Sequence, residues 1–186
     1  MKTTILVSLA GALALAGCNK ASTDDTAAVD TAAPVATDTT AAAMPDTSTP
    51  QGFVDMAASS DMYEIEAAKV AQQMGKSDKL KAFAAMMIKD HGTSTDKLKA
   101  AVAKAGAGVT MPTAMQAKHQ QMLDGLKNAG DSFDKMYAEQ QVAAHDEAMR
   151  LMQAQADSGT SAPLKMFASD VLPVIKHHAG DASRLP

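Results

Sequence analysis

The stretch that decides the fold is residues 77–105, SDKLKAFAAMMIKDHGTSTDKLKAAVAKA. Ser77 is a good N-cap, Asp78 favours the first turn of a helix, and Gly106 ends the run. Apolar residues recur inside it every three or four positions, which is the period of one helix face. They are Leu80, Ala84, Met87, Leu98, Ala101 and Ala105, and His91 occupies the slot between Ala84 and Leu98. The stretch therefore predicts a long amphipathic helix with one histidine on its buried face.

Three more long helices are predicted on the same grounds. Residues 53–185 are rich in Ala, Met, Leu, Lys and Gln, which are good helix formers, and they contain no run typical of a strand. The other long helices run from about Phe53 to Met74, from behind Asp131 to Gly159 and from behind Ser161 to about Ala182, and a short helix runs from Pro112 to near Gly130. Pro173 lies inside the last helix and should kink it.

These lengths predict an all-α domain over residues 51–186. Two short connections and one long connection, which holds the extra short helix, are the layout of a ferritin-like four-helix bundle with one crossover. Aromatic residues make up only 3% of the chain, so the core must be built from Ala, Leu and Met.

Residues 18–50 differ from the domain in composition. After Cys18 they are almost entirely Ala, Thr, Asp, Ser and Pro, without apolar periodicity. Such a segment cannot bury enough apolar surface to offset its conformational entropy. It is predicted to be a disordered tether that spans roughly 30 Å as a flexible coil.

Residues 1–17 have the organisation of a secretory signal peptide, with Lys2 followed by an apolar segment from Ile5 to Ala14. That segment is too short for a spanning helix, which needs about 20 apolar residues. Leu15-Ala16-Gly17-Cys18 resembles the lipobox of bacterial lipoproteins, in which the cysteine receives a diacylglyceryl and a fatty-acyl group such as palmitate. We therefore expect a membrane anchor at Cys18. The alternative is an ordinary secreted protein with an incidental cysteine.

The residue after the predicted cleavage site indicates where the anchor would sit. It is Asn19 rather than an aspartate, which by resemblance to enteric lipoprotein sorting favours the outer membrane, with the domain facing the periplasm.

One potential metal ligand falls on the inward face of each predicted long helix: Glu66, His91, His145 and His178. With a rise of about 1.5 Å per residue, all four lie near the middle of the bundle, within about 7 Å of one level. One carboxylate and three imidazoles suit a single transition-metal ion such as Zn, Fe or Cu. Possible accessory residues are Asp90, Tyr137, Gln141 and Met149.

Other interpretations of these four residues stay open. They could form a polar core layer, hydrogen-bonded among themselves, in a non-catalytic structural or partner-binding module. A metal-dependent oxidase of the di-iron type is disfavoured, because Ile88, Val142 and Ile175 stand where the Glu-x-x-His motif requires carboxylates. Met87 and Met149 lie four residues from a histidine, which is compatible with Cu(I), but Met is also a flexible core filler.

The chain lacks a nucleophile–base pair, a phosphate-binding glycine loop and a basic patch, which favours a role other than catalysis. Its formal net charge of −4 becomes −5 once Lys2 is removed with the signal peptide. That charge disfavours binding to nucleic acid or to anionic lipid surfaces. A protein partner is not indicated by the sequence.

Segments on all four long helices carry a family resemblance. They are Tyr63-Glu64-Ile65-Glu66, Lys81-Ala82-Phe83-Ala84 with Asp90-His91, Phe133-Asp134-x-x-Tyr137 with His145, and Leu172-Pro173 with His178. From Phe53 to Leu185 the chain resembles a family of bacterial outer-membrane or periplasmic proteins, domain of unknown function 4142, which belongs among the ferritin-like bundles. The resemblance implies the fold and the location but no reaction. His177 stands where such proteins often carry an acidic residue.

The predicted anchor is tested by Cys18→Ser. Without the thiol there is no site for the diacylglyceryl group, so the variant should leave the membrane fraction or accumulate with its signal peptide uncut. Membrane fractionation and the mass of the purified chain measure both outcomes. A processed serine variant that still sediments with the outer membrane would contradict the lipoprotein interpretation.

Overall fold

The computed structural model describes residues 44–186, and every regular element in that range is helical. The long helices are α1 (Pro50–Met74), α2 (Asp78–Ala105), α4 (Phe133–Ser158) and α5 (Ala162–Ala182); α3 (Ala117–Lys127) is short, and a 3-10 turn, Gly130–Ser132, precedes α4. The predicted signal peptide, Cys18 and residues 19–43 of the predicted tether lie outside the described residues. No helix between residues 44 and 186 is long and apolar enough to cross a membrane.

The start of α2 agrees with the sequence prediction, whereas the start of α1 differs from it. The Ser77 hydroxyl accepts a hydrogen bond from the Leu80 N–H at 3.3 Å, so Ser77 caps α2 as predicted. At α1 the Thr49 hydroxyl accepts from the Gly52 N–H at 3.1 Å, and the helix begins at Pro50 rather than near Phe53. A residue of the predicted tether therefore caps the first helix.

The short helix was predicted too early. It begins at Ala117 rather than at Pro112. The backbone before it adopts a different conformation and is hydrogen-bonded to α1. Gly106 and Gly108 have positive φ, and the Gln51 side chain bonds both the N–H and the C=O of Thr110, each at 2.9 Å. The connection between α2 and α3 is therefore hydrogen-bonded to the start of α1 at Thr110 and is not helical at that point.

The long helices pack as a bundle in which α1 neighbours α2 and α4, while α5 neighbours α2 and α4. Asp134 at the start of α4 contacts Lys76, beside the start of α2, so α2 and α4 begin at the same end. Lys79 bonds the C=O of Arg184 and His178 bonds Asp90, so α5 runs antiparallel to α2. α3 packs on α1 and α4 and covers one side of the bundle.

The core consists of two apolar clusters. One is built around Phe53, Leu98, Met152 and Phe167, and the other around Tyr63, Leu80, Phe133 and Tyr137. On each long helix, buried polar residues lie between the part that belongs to one cluster and the part that belongs to the other. These are Asp61, Glu64, His91, Gln141, His145 and His178, which we call the polar layer.

A carboxylate at the start of α4 fixes the connection between α1 and α2. Asp134 accepts hydrogen bonds from the backbone N–H groups of Lys76 and Ser77, at 3.0 and 3.1 Å. Asp131, predicted as the residue before the helix, instead lies in the 3-10 turn, where its exposed carboxylate meets only the Lys76 ammonium at 2.8 Å.

Asp134→Ala should lower the free energy of unfolding by about 1–2 kcal/mol, because it removes a charged acceptor from two backbone donors. Asp131→Ala is the matched control and should leave the stability unchanged, since its ion pair is exposed to solvent. Urea unfolding followed by circular dichroism measures both. Equal effects of the two substitutions would contradict the assignment.

Candidate metal centre

Three histidines from three helices converge in the polar layer. His91 from α2, His145 from α4 and His178 from α5 are 5%, 1% and 1% exposed, and their ring centroids lie 5.5–5.8 Å apart. One ring nitrogen from each lies within 4.8 Å of the other two. Within residues 44–186 no other group of three His, Cys or acidic side chains meets this geometry.

His91 is oriented by α1. Its Nδ1 lies 2.8 Å from Asp61 Oδ1, and the Thr95 hydroxyl donates to Asp61 Oδ2 at 3.2 Å. Because a carboxylate only accepts, the Nδ1 of His91 carries a hydrogen atom. The carboxylate thus sets both the position of the ring and which nitrogen is protonated.

The other two rings are held in the same manner. His145 Nδ1 donates to the backbone C=O of Gln141 at 2.8 Å, one helical turn before it. His178 Nε2 lies 3.1 Å from Asp90 Oδ2. Each imidazole therefore uses one nitrogen to bond an acceptor outside the trio.

The remaining nitrogen of each ring has no protein partner. His91 Nε2, His145 Nε2 and His178 Nδ1 are buried and make no hydrogen bond. A buried polar atom without a partner costs about 1–3 kcal/mol, so these three nitrogens, together with the unpaired Oε1 of Gln141 in the same layer, require an explanation. On neutral imidazoles these atoms would carry lone pairs, which are the electrons that bind a metal.

Burial controls the charge of these rings. It lowers the pKa of His145 to about 4, helped by the nearby positive charge of His91, and it lowers the pKa of His178 to about 4 against the effect of Asp90. Burial also opposes charge on His91, but the hydrogen bond and charge of Asp61 outweigh it and raise the pKa of that ring. At neutral pH, His145 and His178 are therefore uncharged imidazoles.

Glu66, the fourth predicted ligand, lies outside the trio. Its carboxylate is 45% exposed and pairs with Lys69 at 2.7 Å. Successive residues of a helix are about 100° apart, so Glu66 points nearly opposite to Glu64. Glu64 is the carboxylate that α1 buries in the layer, and the prediction of an inward-facing Glu66 was wrong.

Glu64 is linked to α4 rather than to the unpaired nitrogens. Its Oε2 accepts from Gln141 Nε2 at 2.7 Å, and its Oε1 lies 3.8 Å from His145 Nδ1. Burial raises the pKa of the Glu64 carboxyl, although His91 and Gln141 act in the opposite direction. Glu64 thus lies beside the same nitrogen of His145, Nδ1, that bonds the backbone C=O of Gln141.

The accessory residues named from the sequence have different positions. Asp90 and Gln141 contact the layer as described, whereas Tyr137 stacks on Phe133 at 5.9 Å and its buried hydroxyl has no partner. Met149 is half-buried and packs against the cluster around Phe53. Val142, three residues before His145, is exposed.

The two histidines outside the trio have no part in it. His119 on α3 is buried, stacks on Tyr63 and lies 2.6 Å from the Ser59 hydroxyl, so its contacts are packing contacts. His177 is exposed and lies 3.8 Å from Asp181. It therefore lies at the solvent edge of α5.

Sequence reasoning missed Asp61 and Glu64. Both belong to a buried series on α1 at spacings of three and four, which also contains Ala57, Ala68 and Ala71. The signal was present in the sequence. It was hidden because a second apolar series, Met56, Tyr63 and Ala67, also lies on α1.

A cleft between α2 and α5 reaches two of the three rings. It has a volume of about 120 Å³, and both His91 and His178 line it. Asp90, Thr93, Ser94 and Lys97 form its α2 side, and Val171, Val174 and Ile175 form its α5 side.

Comparison with known proteins identifies the class of this bundle. Residues 19–185 match the model of the family described as Domain of unknown function (DUF4142). The chain therefore belongs to that family, as the resemblance of its helices indicated. No curated protein and no solved structure gave a significant match.

The lowered pKa of His145 predicts a pH-dependent stability in the presence of a chelator. Below pH 6.5 the unfolded chain binds a proton at this residue that the folded chain excludes down to about pH 4. Its contribution to the free energy of unfolding therefore falls as the pH decreases from 6.5 to 4. His145→Gln should make the measured dependence on pH less steep in this window.

The control for this measurement is His177→Gln, which changes an exposed histidine outside the layer. It should leave the pH dependence of the wild type unchanged. Urea unfolding at closely spaced pH values measures all three proteins. If the free energy of unfolding depended on pH with the same slope in wild type and His145→Gln, the burial of a neutral imidazole at position 145 would be contradicted.

Proposed function

We propose that this domain binds one divalent transition-metal ion through His91, His145 and His178. The proposal rests on one observation: three buried ring nitrogens face no hydrogen-bond partner, while the other nitrogen of each ring is held by an acceptor. Metal-binding histidines have this arrangement, since the hydrogen bond at one nitrogen fixes the lone pair of the other.

The ligand chemistry supports zinc, copper or iron. Imidazole suits all three metals, and three histidines with a further non-protein ligand form a known type of zinc site. The carboxylates of Asp61 and Asp90 bond ring nitrogens from outside the trio, where they would orient the ligands and offset the charge of an ion. A bridging carboxylate of the di-iron type is missing among the described residues, since Ile88, Val142 and Ile175 precede the histidines by three positions.

We further propose that the bundle is ferritin-like and that the protein is a lipoprotein of the bacterial envelope. The long crossover through α3, the common end at which α2 and α4 begin, and the antiparallel α5 support the fold. The lipobox ending at Cys18 supports an anchor in the outer membrane, and Asn19 supports that membrane over the inner one. A metal-binding domain on a tether would then buffer or carry an ion within the periplasm.

A non-catalytic module with a polar core is the second candidate. The hydrogen bonds of Asp61, Gln141 and Asp90 to the three rings favour it, because they give the layer a structural role without any ion. The two candidates differ in one measurable property. A metal ion that binds only the folded chain stabilises it, whereas a polar core is indifferent to metal.

The double replacement His91→Ala with His145→Ala should abolish stabilisation by metal. At 100 times its dissociation constant, an ion that binds only the folded wild type adds about 2.7 kcal/mol to the free energy of unfolding. Thermal unfolding with chelator and with added Zn, Cu or Fe measures this effect. Elemental analysis of protein purified without a His tag should find one ion per chain.

His119→Ala is the matched control, because it removes a buried histidine outside the trio. It should lower the melting temperature with and without metal, and it should keep the increase that metal produces. A wild type whose melting temperature ignores every metal, and which contains none after purification, would leave the polar core as the function of the layer.

A further inference from the structure

The trio supplies three ligands, and a fourth is not provided by the protein nearby. Among residues 44–186 no Cys, Asp or Glu joins the three imidazoles within ligand distance of one another. Closed structural zinc sites use four protein ligands, whereas sites with three leave a position for an exchangeable ligand. A metal ion held by this trio therefore has room for a ligand from solution.

The approach to that position lies on the α2–α5 side. His91 and His178 line the cleft, whereas His145 does not. On the opposite side, Glu64 and Gln141 are 1% and 0% exposed and close the layer. The cleft is consequently the side from which a solute meets the centre.

The size and charge of the cleft indicate the class of solute. Its volume of about 120 Å³ is comparable to cavities that hold a single benzene ring. Its one acidic group, Asp90, is bonded to His178 at 3.1 Å. Its one lysine, Lys97, is exposed and forms no ion pair with the described residues.

We infer that the cleft admits a small monoanion of a few atoms to the metal centre, with Lys97 attracting it at the mouth. The inference rests on the proposed metal site and adds to it an exchangeable position and a class of ligand. The apolar wall of Val171, Val174 and Ile175 excludes strongly hydrated ions of higher charge. The site thus differs from a closed structural metal site because one coordination position takes its ligand from solution.

The test uses the protein loaded with Co(II), because Zn(II) has a filled d shell and gives no d–d absorption. All proteins carry Cys18→Ser, so the single thiol cannot bind the metal. Azide is the probe, and its titration should change the cobalt spectrum in a saturable manner with one anion per metal. The dissociation constant of azide is the quantity compared between variants.

Val174→Trp should weaken azide binding by about tenfold or more, because the indole fills the cleft from a position already 40% exposed. Met166→Trp is its control on the same helix, 61% exposed and outside the cleft, and should bind azide as the parent does. Lys97→Gln should weaken azide by about threefold, whereas Lys104→Gln, an exposed lysine of the same helix outside the cleft, should not.

The outcomes separate the two proposals. Bound cobalt whose spectrum ignores azide would overturn the exchangeable position while leaving the metal site intact. Azide that binds equally well to Val174→Trp would overturn the cleft as the approach. Failure of the protein to bind cobalt, zinc or copper at all would overturn the metal site and this inference with it.

Discussion

The structure depends on the burial of a polar layer between two apolar clusters. Six polar side chains from α1, α2, α4 and α5 are removed from water in the middle of the bundle. Burying each without a hydrogen bond costs more than most single apolar contacts return. The helices must therefore adopt the one register in which Asp61 meets His91, Gln141 meets Glu64 and Asp90 meets His178. Sliding a helix by one turn would separate several of these pairs at once.

The same hydrogen bonds that fix the register also fix the orientation of the three rings. Each imidazole is tied through one nitrogen, and the tie determines where the other nitrogen points. In a layer that served stability alone, both nitrogens of each ring would be expected to have a hydrogen-bond partner, as most buried polar atoms in proteins do. The three unpaired nitrogens are thus the feature that a purely structural account leaves unexplained. All three rings stand on helices rather than on loops, so their positions are set by the packed core.

The apolar surroundings determine the chemistry of the layer. Burial keeps His145 and His178 neutral across the physiological pH range, and it raises the pKa of Glu64. Asp61 counters this effect at His91 alone. The layer therefore combines two rings whose pKa is lowered with one whose pKa is raised, a difference created by Asp61 of α1. Family membership adds no function to this picture, since the family is described only as a domain of unknown function.

The sequence by itself determined the four long helices, the Ser77 cap and three of the inward residues. The period of residues 77–105 and the Ser77 cap gave α2. On α5 the buried residues from Leu164 to Ala182 recur at the same helical spacing. His91, His145 and His178 could be predicted because each interrupts an apolar series on a helix that is buried along one face. The all-helical fold and the common level of the histidines follow from such local patterns.

Only the tertiary structure decided which face of α1 points to the centre. α1 packs against α2, α4 and α3, so most of its circumference is buried and its sequence carries two apolar series. The series with Met56, Tyr63 and Ala67 lies toward the α3 side, where Tyr63 meets His119, and the series with Asp61 and Glu64 faces the layer. The centres of the two series differ by about 90° around the helix. A periodic pattern shows that a face is buried, but it does not show which neighbouring helix buries it. For that reason the sequence indicated Glu66, whereas the structure buries Glu64.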